Sequence, residues 1–159
     1  MSLIKIGFEP FFNNESNVLI LGSFPSVKSR EVEFYYGNKQ NKFWKVLSNF
    51  YSCNLPETLQ DKKSFLTENK IALWDIVTQC EIIGSQDSTI KNYKIANLSK
   101  VLDKAPIKLI ILNGGTAYNI FLKKYENINI PYIKVPSTSP ANTKFYEKEW
   151  QNALSRVVE

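Results

Sequence analysis

Val18-Leu19-Ile20-Leu21 runs straight into Gly22-Ser23-Phe24-Pro25-Ser26. Four apolar residues closed by a glycine predict a short buried strand that ends in a small-residue turn. A dense segment follows, Tyr35-Tyr36-Gly37-Asn38-Lys39-Gln40-Asn41-Lys42-Phe43-Trp44, and leads into a helix. Ring faces, amides and positive charge are therefore expected at the carboxyl edge of a sheet, where open α/β folds bind ligands. Such a loop suits a flat, uncharged group attached to a phosphate backbone.

The same grammar repeats along the chain. Apolar residues at Phe43, Trp44, Val46, Leu47 and Phe50 predict a helix over 40–51, and Pro56-Glu57 opens a second through about Asn69, with Leu59, Phe65 and Leu66 inward. Ile71-Ala72-Leu73-Trp74 reads as the second strand, with Asp75 at its end. Residues 80–88 read as a loop and 89–103 as a helix carrying Ile90, Ile95, Leu98 and Leu102. Lys108-Leu109-Ile110-Ile111-Leu112 is the third strand, followed by Asn113-Gly114-Gly115 and a helix to about Tyr125. Tyr132-Ile133-Lys134-Val135 is the fourth, followed by Pro136-Ser137-Thr138-Ser139-Pro140 and a helix over roughly 143–157. Strands alternating with helices predict an α/β fold, a three-layer α/β/α sandwich around a central four-stranded, mostly parallel sheet. Phe8, Phe11 and Phe12 are expected to pack the first residues against the body.

Composition bounds the chemistry. A chain of 159 residues, 43% hydrophobic, is expected to form a single domain over 1–159. No run of eighteen apolar residues and no signal-like start occur, so a cytoplasmic protein with no membrane partner is expected. Cys53 and Cys80 lie outside any Cys-x-x-Cys pair and read as buried or half-buried free thiols. Histidine is absent, which removes His-based triads and most zinc sites, and no metal or cofactor is expected. No Gly-x-Gly-x-x-Gly or phosphate-loop signature occurs. The net charge of +5 favours polyanions.

The strand-end loops hold the candidate site. Gly22, Ser23, Phe24 and Pro25 offer a tight turn, a hydroxyl and backbone amides that can face an anion. Tyr35 and Tyr36 can stack on a ring. Asn41 either caps the following helix or presents its amide to a substrate. Asn113 is either a turn residue or an amide that recognises a carbonyl beside an N–H. Ser137, Thr138 and Ser139 either contact a phosphate or form a turn ahead of the last helix. Asn142 is a candidate cap for that helix. Lys39, Lys42, Asn142 and Lys144 are candidate DNA-backbone contacts. Asp75 either orients water, holds a metal or caps a turn.

Five segments, in this order, resemble the uracil-DNA glycosylase superfamily. They are Leu19 to Ser26, Tyr35 to Trp44, Ile71 to Ile76, Leu112-Asn113-Gly114, and Pro136 to Asn142. The closer likeness is to its hypoxanthine-DNA glycosylase (DNA-deoxyinosine glycosylase) branch. The resemblance implies a four-stranded parallel sheet between helices and hydrolysis of the N-glycosidic bond of a deaminated base in DNA, hypoxanthine or else uracil or xanthine, leaving an abasic site. It makes Asn41 the catalytic residue, Asn113 the base reader, and the Pro-Ser-Thr-Ser-Pro segment a wall beside the flipped nucleotide. A damaged DNA strand is the implied partner, and a monomer is expected. Where the branch usually carries His-Pro, this chain has Asn38-Lys39, and Ser26 replaces a frequent glycine. A non-catalytic nucleic-acid-binding module on the same fold is the alternative reading. A nucleoside hydrolase would want a carboxylate pair, and a serine esterase at Ser23 would lack its histidine.

Overall fold

The structure, a computed structural model, describes residues 3–158. Four strands form a wholly parallel sheet: β2 (Val18–Gly22), β3 (Ile71–Asp75), β6 (Leu109–Asn113) and β7 (Tyr132–Val135), in the order β3-β2-β6-β7. Each of the first three is buried along its whole length, as near-continuous apolar strands of a covered parallel sheet must be.

Alternation along β2 sorts the core into two layers. Val18 and Ile20 face α2 (Phe43–Phe50), α3 (Leu59–Glu68) and α6 (Glu147–Val158), meeting Phe43, Leu47, Leu66, Trp150 and Leu154. Leu19 and Leu21 face the other side, where they meet Phe121 of α5 (Gly115–Tyr125) and Val101 of α4 (Ser99–Leu102). The period of two is thus the sandwich itself, one hydrophobic row per layer. The expected α/β/α architecture stands.

The second layer holds more than helices. A three-stranded antiparallel sheet, β1 (Ile4–Ile6), β4 (Val77–Glu81) and β5 (Lys91–Ile95), packs there in the order β1-β4-β5. The helix expected over 89–103 is therefore replaced by β5 and the single turn of α4. Lys91-Asn92-Tyr93-Lys94-Ile95 turns only Tyr93 and Ile95 inward, a period of two that the isoleucines at 90 and 95 mask. Cys80 and Glu81, expected in a loop, belong to β4.

Other boundaries shift for local reasons. The helix expected from Pro56 starts at Leu59, because the Thr58 hydroxyl accepts the Asp61 amide 3.0 Å away, and Leu59 is exposed rather than inward. The last helix begins at Glu147, not near 143. A short helix over Val27–Val32, α1, capped by Ser26, went unanticipated. Cys80 is buried, but Cys53 is exposed, against expectation; both are free. The aromatic N-terminal segment packs as expected. Phe8 meets Tyr35 edge-on, and Phe11 exchanges two backbone hydrogen bonds of 2.9 Å with Leu73 along the outer side of β3. No helix among the described residues is long and apolar enough to cross a membrane.

Candidate active site

Parallel registry brings the strand ends level. Gly22 pairs with Asp75, Leu21 with Leu112, and Asn113 with Val135. Asp75, Gly22, Asn113 and Val135 thus form one row at the carboxyl edge. The loops beyond them surround a cavity of about 950 Å³. Its lining takes in Gly22, Ser23, Phe24, Pro25, Tyr35, Tyr36 and Asn41 from the first part of the chain. Asn113, Ser137, Thr138, Ser139, Asn142 and Lys144 line it from the second. Lys39 and Lys42 are exposed and stand outside it; the Lys42 ammonium lies over the Phe145 ring, 5.5 Å from its centroid.

Asn41 combines both roles considered for it. Its Oδ1 accepts the Phe43 amide at 2.9 Å, satisfying a free N–H at the start of α2, while the residue faces the cavity. The bond fixes the amide plane and leaves Oδ1 a second lone pair.

Thr138 is the knot of the opposite wall. It is buried, its amide and hydroxyl are both bonded to the Asn113 side chain, and its carbonyl accepts the Lys42 amide at 3.0 Å. One residue thereby ties the end of β6 to the turn carrying Asn41. The loop is held further by Trp150, whose indole N–H donates to the Pro136 carbonyl at 2.8 Å. Asn142 does not cap the last helix, which begins five residues later. Its Nδ2 donates to the Ser137 carbonyl at 2.9 Å and its Oδ1 accepts the Lys144 amide at 3.0 Å, closing a local turn. Gly114 has φ +99°, and a Cβ there would lie 2.9 Å from that of Ser137, so this turn requires glycine.

The two tyrosines part company. Tyr35 is buried among Phe8 and Phe34 and donates its hydroxyl to the Glu9 carbonyl at 2.7 Å, so most of it is core. Tyr36 takes a left-handed backbone, φ +53°, rare for a bulky residue. Its ring stacks on Phe43 at 3.9 Å. Its hydroxyl is buried without a hydrogen-bond partner and faces Asp75 and Asn113. Burial, then the neighbouring Asp75, pushes the phenol above its usual range.

Asp75 is the residue on which the sequence offered least and the structure most. Its carboxyl is buried, Oδ2 has no partner, and burial, reinforced by Asp87, pushes its pKa up to about 8. Gly22 makes room for it: a Cβ there would stand 2.6 Å from Asp75 Oδ1 and 3.1 Å from the Tyr36 hydroxyl. Asp87 in turn accepts the Ser23 hydroxyl at 2.8 Å. Residues 85–88 also line the cavity, brought there by the small antiparallel sheet that the sequence reading missed, as does Glu149. No cluster of three or more potential metal-ligating side chains occurs among the described residues.

Comparison with known proteins follows the same outline. The profile of the Uracil DNA glycosylase superfamily matches residues 9–157. A hypoxanthine DNA glycosylase from Methanosarcina acetivorans is 35% identical over 156 residues, covering 94% of this chain and 97% of its own. Another from Methanosarcina barkeri is 36% identical over 112 residues, covering 69% of this chain and 71% of its own. The solution NMR structure of a candidate uracil DNA glycosylase from Methanosarcina acetivorans superposes with a TM-score of 0.86 at 31% identity, covering 99% of this chain and all of that one.

Proposed function

The chain belongs to the uracil DNA glycosylase superfamily, in its hypoxanthine-DNA glycosylase branch, and from that footing we propose that it hydrolyses the N-glycosidic bond of hypoxanthine in DNA. The observation that carries this reading is the cavity at the strand ends, with the Asn41 amide fixed at one wall and the Asn113–Thr138 pair at another.

The damaged nucleotide rotates out of the stack, at least cost where its pairing is already weak. Its base enters between the Tyr36 ring and the Ser137–Ser139 wall. As the C1′–N bond lengthens, negative charge grows on the base and positive charge on the sugar. Donors already fixed around the base stabilise that charge without reorganising. Asn41 Oδ1, held by the Phe43 amide, uses its second lone pair to orient water toward C1′. An amide is too weak a base to deprotonate ground-state water, so its contribution is position. Asn113 serves the pocket through Thr138, whose loop it holds. Lys144 at the rim and exposed Lys39 and Lys42 meet phosphates.

The test is base release from oligonucleotides carrying deoxyinosine, deoxyuridine, deoxyxanthosine or normal bases, read as strand scission after alkali. Scission at deoxyinosine is expected. Binding without scission at any base, by folded protein, would make the chain a binding module instead.

A further inference from the structure

Two buried polar groups at the floor of the cavity lack partners: Asp75 Oδ2 and the Tyr36 hydroxyl. Unpaired buried groups are costly, and a fold that retains two in one place needs a reason. The other carboxyl oxygen, Asp75 Oδ1, and the Tyr36 hydroxyl flank one small space over Gly22, kept open because residue 22 has no side chain. Both line the cavity that also holds Asn41. Among the described residues no cation acts on the carboxyl: the titratable groups coupled to it are Tyr36 and Tyr35 from the first loop and Asp87 from the turn after β4. Lys134, Lys144 and Glu149 belong to the same cavity, but none of them is among the groups that perturb Asp75.

Resting on the glycosylase reading, we propose that Asp75 is the proton donor to the departing base. In the step, the C1′–N bond breaks and its electron pair goes to the base. The Asp75 carboxyl proton passes to a ring nitrogen or carbonyl oxygen of that base, which leaves neutral. Water adds to C1′, and the proton it releases restores the carboxyl. The products are the free base and an abasic sugar, and atoms and charge balance. Burial without a counter-charge keeps the acid protonated up to about pH 8, so it is loaded at neutral pH.

The experiment compares wild type with Asp75→Asn, which keeps the shape and loses the transferable proton. Single-turnover release from a deoxyinosine oligonucleotide is measured from pH 5.5 to 9. The ratio of wild-type to variant rate, in which ionisation of the substrate itself cancels, is expected to be about 100 at low pH and to fall as pH rises through about 8. A ratio near one throughout, or a large ratio that does not change with pH, overturns the proton-donor role while leaving glycosylase activity standing. Absence of release by wild type at every base overturns both. Should the variant not fold, carbon-13 titration of the wild-type Asp75 carboxyl decides. A midpoint near 8 supports the role, and one below 5 removes it.

Discussion

Asn113 grips Thr138 at two points: Nδ2 donates to Oγ1 at 3.0 Å, and Oδ1 accepts the Thr138 amide at 3.0 Å. Both residues are buried, so each atom left unpaired would carry a desolvation cost. Asn113→Ala is expected to destabilise the protein by about 1–3 kcal/mol. Because Thr138 also receives the Lys42 amide, the same change should slow base release. Urea unfolding and single-turnover kinetics on one sample check both.

Asn41 offers a way to separate a cap from a catalyst. Serine at an N-terminal helix position retains a hydroxyl acceptor but lacks the reach and shape of the amide. Asn41→Ser should unfold within about 1 kcal/mol of wild type, yet release base about 100-fold more slowly. Equal turnover would remove Asn41 from the chemistry.

Gly22→Ala places a methyl 2.6 Å from Asp75 Oδ1. The carboxyl is enclosed, so accommodation must come from the strand ends, at about 1–3 kcal/mol. A lower thermal midpoint is expected, together with a shift in the Tyr36 ring resonances.

Asp75 also links stability to pH. Its folded pKa of about 8 stands above the usual carboxylate value of 3.8. Between those values the folded state binds more protons than the unfolded one, so stability should fall as pH rises across that window. The lost stability lies on the alkaline side, opposite to acid denaturation of a salt-bridged carboxylate. Asp87, raised by burial in the same direction, adds to the slope at its lower end. Urea midpoints from pH 4 to 9 should decline in wild type and decline less in Asp75→Asn.

Lys144 lines the cavity rim through its own residue, not through an ion pair. If it meets one phosphate, Lys144→Ala should weaken binding to damaged and undamaged DNA alike. The slope of log K against log salt should drop by about 0.9. Titrations at several salt concentrations measure it.

The central sheet was legible because three of its strands are near-continuous apolar runs and each strand ends in a glycine, proline or polar turn. That punctuation also located most of the cavity lining. What escaped notice is the antiparallel sheet. Its strands are half exposed, and β5 carries shift points in its pairing with β4 that blur the alternation. Asp87 and Ser85 lie in the strand-end loop over 75–88 that the sequence does place at the site, but nothing in that loop singles them out. Asn41 was visible as an amide before a helix, but its cap bond and its cavity face needed the third dimension. Asp75 stood in plain view at a strand end; its isolation from any cation is a property of neighbours distant in sequence, Tyr36 and Asp87 among them.

The two hydrogen bonds between Phe11 and Leu73 bear on solubility. β3 is an outer strand, and an open row of amides and carbonyls invites a second chain to add itself there. A single residue of extended backbone occupies the middle of that row. At the other margin, exposed Lys134 on β7 puts a charge where an incoming strand would have to lie. The parallel sheet therefore ends on both sides in a stop, so its two outer strands offer an incoming chain no clean row on which to extend it.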